Sequence, residues 1–103
     1  MAGLVQVDGT SWTASSGLFY WVVDTVAEQV QDPATASSLR QVSEHNLGWL
    51  DPDDFGEEGS RQVRVALAAL PGVAERELPD SAAREEVLQR VRDLAALAAG
   101  TPR

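Results

Sequence analysis

Neither cysteine nor lysine occurs anywhere in the 103 residues. Without cysteine there are no disulfides, thiolate zinc sites, iron–sulfur clusters or thiol nucleophiles. Without lysine there is no phosphate-binding P-loop and no Schiff-base chemistry. Isoleucine is also missing, asparagine occurs once, and all eight basic residues are arginine. That usage points to a GC-rich, bacterial genome. No Gly-rich dinucleotide fingerprint is present, and no serine lies in a nucleophile elbow. No apolar run approaches the ~20 residues that span a bilayer. The opening MAGLVQVDGT has neither the basic nor the apolar region of a signal peptide. A cytoplasmic protein without membrane contact is expected. Short connectors and the absence of tandem repeats lead to a single helical domain, residues 1–103.

What is present is acid. Sixteen carboxylates against eight arginines give a net charge of −8. Nine of those acids fall between Asp24 and Gly59, where Arg40 is the only cation. Such a field repels nucleic acid and anionic lipid and attracts a basic protein surface. Solubility is the plainer explanation of the same charge.

The patterning is mostly helical. LVQV and TSWT flank Asp8-Gly9, a two-residue hairpin signal, so a short N-terminal hairpin or extended arm is expected, with strands of about four residues. Phe19, Val22, Val23, Val26 and Val30 recur at helical spacing over 17–31, capped by Ser15 or Ser16. Phe19, Tyr20 and Trp21 sweep about 200° of that helix, so Trp21 is expected to be partly exposed, as a candidate partner anchor. Asp32-Pro33 opens a second helix running to Leu47, with Ala36, Leu39 and Val42 inward and Gly48 as its stop. Trp49 and Leu50 are expected to enter the core. A third helix, about 60–70, turns Val63, Ala66, Leu67 and Leu70 inward, and Pro71-Gly72 ends it. VAERELPD reads as a connector. The last helix is capped by Asp80 or Ser81. Val87, Val91, Leu94 and Ala98 form its stripe, Leu88 and Leu97 widen it, Glu86 pairs with Arg90, and Gly100 ends it. The expected fold is mainly α, a small bundle of about four helices.

DPDDFGEEG, residues 51–59, places five carboxylates in nine residues. A calcium loop needs oxygen ligands at positions 1, 3, 5, 9 and 12 with glycine at 6. Asp51, Asp53 and Gly56 fit, but Phe55, Gly59 and Gln62 occupy positions 5, 9 and 12. The stretch instead repeats the grammar of Asp32-Pro33: capping aspartate, proline, then acids complementing the helix dipole. Phe55 anchors the turn and Gly56 redirects it. Arg61 and Arg64 partly neutralise it. His45, the single histidine, sits in SEHNLG at a helix end, where it meets free carbonyls or solvent rather than a metal.

No catalytic residue, metal site or cofactor is expected, and the chain reads as not an enzyme. The expected function is a small acidic interaction module for a basic protein partner, inhibitor-, immunity- or antitoxin-like by analogy of size and charge. Its contact residues would be Asp51, Asp53, Asp54, Glu57 and Glu58, with Trp49, Phe55 and Trp21 as apolar anchors. The alternatives are a helical homo-oligomeric subunit, a homodimer included, and an enzyme using carboxylates or a metal.

Overall fold

Asp8 and Gly9 turn the chain at φ 50° and 84°. Positive φ at both central positions is what the hairpin turn matching right-handed strand twist requires, and aspartate and glycine tolerate it best. The structure, a computed structural model, describes residues 2–44, 48–78 and 80–100. β1 (Ala2–Val7) and β2 (Thr10–Ser15) pair antiparallel, Ala2 opposite Ser15 through Val7 opposite Thr10. Hairpin rather than arm is thus the outcome, with six residues per strand instead of four. A third strand supports it. β3 (Trp49–Leu50) runs parallel to β1, in the order β2-β1-β3.

Strand alternation sorts the side chains by face. Val5, Val7, Trp12, Ala14 and Leu50 are buried. Leu4, opposite both Thr13 and Trp49, belongs to the other face. The expectation that Trp49 enters the core is therefore wrong: Leu50 is 1% exposed and Trp49 44%. Two successive residues of a strand cannot both point inward.

β2 passes directly into α1 (Ser16–Gln29), whose Leu18 N–H donates to the Ser15 hydroxyl at 3.4 Å. Phe19, Val22, Val23 and Val26 are fully buried, so α1 is the central helix. Each such side chain contributes about 1.5–3 kcal/mol relative to exposure. β1 lies almost on this helix: a Cβ at Gly3 would fall 2.0 Å from Phe19 Cγ. Tyr20 meets Phe19 edge-on, with centroids 5.1 Å apart. Tyr20 and Trp21 are half-buried against the core, which agrees with a partly exposed Trp21.

α2 (Pro33–Glu44) buries Thr35, Leu39 and Val42. Ala36, expected inward, is half-buried. Thr35 takes the inward place because Asp32 accepts from both its N–H (3.1 Å) and its hydroxyl (2.6 Å), leaving no buried donor unmet. His45 and the expected helix end at Leu47 lie outside the described residues.

A 3₁₀ turn, Pro52–Phe55, leads into α3 (Gly56–Ala68). Helix three thus begins at Gly56 rather than Ser60. Pro71-Gly72 does not end helical structure either. The chain bends at Ala69 and re-enters as α4 (Leu70–Glu77), with proline in the first turn, where its missing N–H is harmless. Most of the expected connector is therefore helix, because Leu70, Val73 and Ala74 find core to bury against.

α5 (Arg84–Ala99) buries Leu88, Val91, Leu94 and Ala98, with Val87 and Leu97 at the margin, and Gly100 follows its last turn. Neither Asp80 nor Ser81 caps it by its side chain. Instead the Arg84 N–H meets the Ser81 carbonyl at 3.2 Å. Arg90 does not pair with Glu86. It covers the Trp12 ring at 5.5 Å, while the Arg90 carbonyl accepts from Trp12 Nε1 at 2.9 Å. Five α-helices and a three-stranded sheet among the described residues make the fold mainly α, as expected, with one helix more. The radius of gyration is 12.6 Å, against about 12.8 Å for a compact body of this length. No helix among the described residues is long and apolar enough to cross a membrane.

Candidate functional site

Asp51 begins the acidic stretch as a cap. Its backbone is extended, its carboxylate accepts from the Asp53 N–H at 2.9 Å, and its carbonyl accepts from the Asp54 N–H at 3.0 Å. Pro52 is buried at the first position of the turn. Asp53 and Asp54 occupy that turn's positive end, where acids are favoured. Gly56, at φ 75°, swings the chain into α3 and puts Glu57 and Glu58 into a second first turn. The five carboxylates therefore open two consecutive helical segments.

Two arginines from the exposed side of α3 meet this stretch. Arg64 grips Asp8 through both terminal nitrogens, at 3.0 and 2.9 Å, and Asp53 through one, at 3.0 Å. Its Nε donates to the Ser60 hydroxyl, which reaches Asp53 at 3.4 Å. The hairpin turn and the 3₁₀ turn, 45 positions apart in the chain, are thus joined through one guanidinium. Hydrogen bonding to Arg64, then its charge, holds the Asp8 carboxyl below its usual range, and the bonds to Asp8 and Asp53 raise Arg64 further.

Arg61 does the same for Glu58, with Nε at 3.1 Å from Oε1 and a second, closer contact from Nη2 to Oε2. Gln62 Nε2 adds a bond at 2.9 Å. Bonding to Arg61, then to Gln62, lowers the Glu58 pKa from 4.5 to about 2. The Gln62 carbonyl oxygen turns the other way and accepts from the Gln31 and Asp32 N–H groups at 3.1 and 3.0 Å. One glutamine therefore links the acidic helix start to the α1–α2 junction. Gly59 brings the same two regions close: a Cβ there would stand 2.8 Å from Phe55 Cβ and from Thr35 Oγ1.

The expected site residues now divide. Asp51 caps, and Asp53 and Glu58 are bound to arginine. Asp54 and Glu57 are exposed, and their carboxylates meet no partner among the described residues. Trp49 is exposed on the open face of the sheet, two residues before Asp51. Phe55 is half-buried, with its ring against the core. Trp21 belongs to α1 and is not joined to the acidic stretch by any bond described. The expected neutralisation by Arg61 and Arg64 is present in the geometry. What the sequence reading missed was Asp8 and Gln62. Asp8 was read only as a turn residue and Gln62 only as a poor calcium ligand, and nothing local to either announces a partner that distant.

Two shallow depressions flank the stretch, each about 220 Å³. The first, between Gln29, Gln31, Arg61 and Val65, opens beside the Gln62 link; the second touches Asp54 and Phe55. Both are smaller than the ~300–1,000 Å³ typical of small-molecule sites. No three His, Cys, Asp or Glu side chains among the described residues are grouped to hold a metal ion. The chain matches no protein-family model, no curated protein and no solved structure.

Proposed function

We propose that the protein is a small acidic interaction module that binds a basic protein partner and performs no catalysis itself. The supporting observation is the pair of exposed carboxylates, Asp54 and Glu57, that meet no partner among the described residues, in the stretch that begins two residues after exposed Trp49. Six carboxylates, Asp8 included, stand against two guanidiniums there, an excess of four negative charges, and only Asp8, Asp53 and Glu58 are paired with them. Asp53 and Glu58 are held in fixed positions by their arginines, so this charge sits on a rigid scaffold, where recognition residues concentrate. Trp49 supplies the apolar contact such an interface needs at its centre. An inhibitor of a basic enzyme or toxin is one concrete form. A chain without cysteine folds without an oxidising compartment, and the cytoplasm is its proposed location. Nucleic acid and anionic lipid, carrying the same sign of charge, are not its proposed partners.

The test is co-purification from the native host at low and high salt, with the native chain, an Asp54→Asn/Glu57→Gln variant and a Trp49→Ala variant. A basic protein retained at low salt, released at high salt and weakened by both variants supports the proposal. Capture that ignores salt and both variants refutes it. A second reading is favoured by the position of Asp53, Asp54, Glu57 and Glu58 in first turns. In it their charge serves two helix starts and solubility, and the chain is a subunit of a homo-oligomer.

A further inference from the structure

β2 has one side paired and one side open. The Leu4 N–H donates to the Gly48 carbonyl at 3.0 Å, toward β3. Leu4 therefore does not use its backbone toward β2, and neither does Thr13 opposite it use its own toward β1. By alternation Thr10, Trp12 and Ala14 bond to β1, while Ser11 and Thr13 point their backbone groups outward. No turn, loop or cap bond among the described residues takes up the Ser11 or Thr13 N–H. α1 packs against both hairpin strands and α5 meets buried Trp12, while Ser11 and Thr13 remain exposed.

Monomeric proteins guard such edges with lysine, proline, a bulge or a covering element. This one runs Thr10–Ser15 as a regular six-residue strand without charge or proline, in a chain of net charge −8. Its pattern is also a palindrome. Around Thr13 the order is Ser11-Trp12-Thr13-Ala14-Ser15, alternately polar and apolar in both directions. A two-fold contact requires that residue i meet j while j meets i, and about Thr13 this sets polar residues opposite polar ones and apolar opposite apolar.

We infer that two copies of the chain associate through antiparallel β2–β2 pairing centred on Thr13, joining their sheets into one of six strands. Thr13 faces the second copy's Thr13, in a pair whose free N–H and C=O groups exchange, and Ser11 faces its Ser15, whose N–H alone is offered because its carbonyl closes the first turn of α1. On the inner face Trp12 lies beside the second copy's Ala14, large against small. Charge permits this edge and disfavours the other. In the joined sheet the two β3 strands, which lead into the acidic stretches, stand five strand spacings apart, about 24 Å. That is about three Debye lengths at physiological salt.

The experiment is sedimentation equilibrium of the native chain, from low micromolar to about 1 mM, beside Thr13→Lys and Thr13→Glu variants. Circular dichroism and melting temperature establish that each variant is folded. The side chain of Thr13 is exposed, so both substitutions leave the monomer intact. The native chain is expected to double its mass with concentration. Each variant alone is expected to associate at least about tenfold more weakly, because like charges meet across the two-fold axis. Mixed in equal amounts, the two variants are expected to recover the dimer, since lysine then faces glutamate. A native chain that stays monomeric overturns the inference, as do variants that dimerise like the native chain. Failure of the mixture to recover the dimer overturns the register. A folded native monomer that still captures a basic partner would overturn this inference alone and leave the proposed function standing.

Discussion

Gln62 shows how one uncharged side chain can organise a charged surface. Its amide accepts from two backbone N–H groups and donates to Glu58. Gln62→Ala should cost about 1 kcal/mol, because the Asp32 N–H it leaves unmet is partly buried whereas the Gln31 N–H is exposed to water, measured by denaturant unfolding. Gly59→Ala sets two effects against each other. Alanine gains about 1 kcal/mol of helix propensity, but its Cβ would press on Phe55 and Thr35 at 2.8 Å. Overpacking of that kind costs about 1–3 kcal/mol. Phe55 Cβ is fixed by its own backbone, so the clash wins and the variant should melt lower. Glu58 provides a titration test. Its carboxyl is lowered to about 2 in the fold from 4.5, so the native state binds fewer protons than the unfolded chain between those values. Its contribution is present above pH 4.5 and disappears as pH falls toward 2. Asp8 acts in the same direction. Arg61→Met should raise the Glu58 midpoint toward 4.5, read by carboxyl carbon NMR, and flatten the pH dependence of stability in that window. Glu58 is fully exposed, and salt should weaken the effect.

At the scale of elements, two aspartate–proline pairs use one grammar in different settings. Asp32 satisfies a buried threonine as well as its helix, whereas Asp51 caps an exposed 3₁₀ turn. Asp32→Ala should therefore cost more, about 2 kcal/mol against about 0.5–1 kcal/mol for Asp51→Ala. Equal losses in thermal or chemical unfolding would contradict this account. The same engagement argues against calcium. Asp51 is committed to a backbone N–H and Asp53 to Arg64, so millimolar calcium should leave the melting temperature nearly unchanged. A rise of many degrees that disappears in Asp53→Ala would contradict the helix-start assignment.

For the molecule as a whole, the acidic stretch follows β3, at the opposite edge of the sheet from the open side of β2. Neutralising Asp54 and Glu57 should leave stability level or slightly raised, because neither holds a partner among the described residues and both lie in a strongly acidic stretch. Neutralising Asp53 and Glu58 as well should lower it slightly, because Arg61 loses its ionic partner and Arg64 keeps only Asp8. Comparing the melting temperatures of the double and quadruple variants separates charge exposed to a partner from charge already used internally. Binding to a basic partner should show an association rate that falls with salt, while dissociation responds more to Trp49→Ala.

Much of this could be read from residue order because it depends on neighbours. Asp8-Gly9 between β-prone runs, Ser15 ahead of the Phe19–Val26 stripe, and the two Asp-Pro starts each specify an element through contacts a few positions apart, where backbone sterics and capping operate. The errors lay where distant segments compete. Trp49 points outward only because β1 offers a parallel partner to residues 49–50. Residues 70–77 are helical because Leu70, Val73 and Ala74 have a core to enter, a gain that outweighs the stop signal of Pro71-Gly72. Among the candidate site residues, identity and sign of charge were legible in DPDDFGEEG, but their division into capping, paired and unpartnered carboxylates was not. That division depends on Arg64 reaching Asp8 across 56 positions and Gln62 reaching residues 31 and 32. Local sequence thus determined the hairpin turn, the start of α1 and the two Asp-Pro starts. Tertiary structure decided which acids remain exposed and without a partner, because pairing follows distance in space, which only the folded chain establishes.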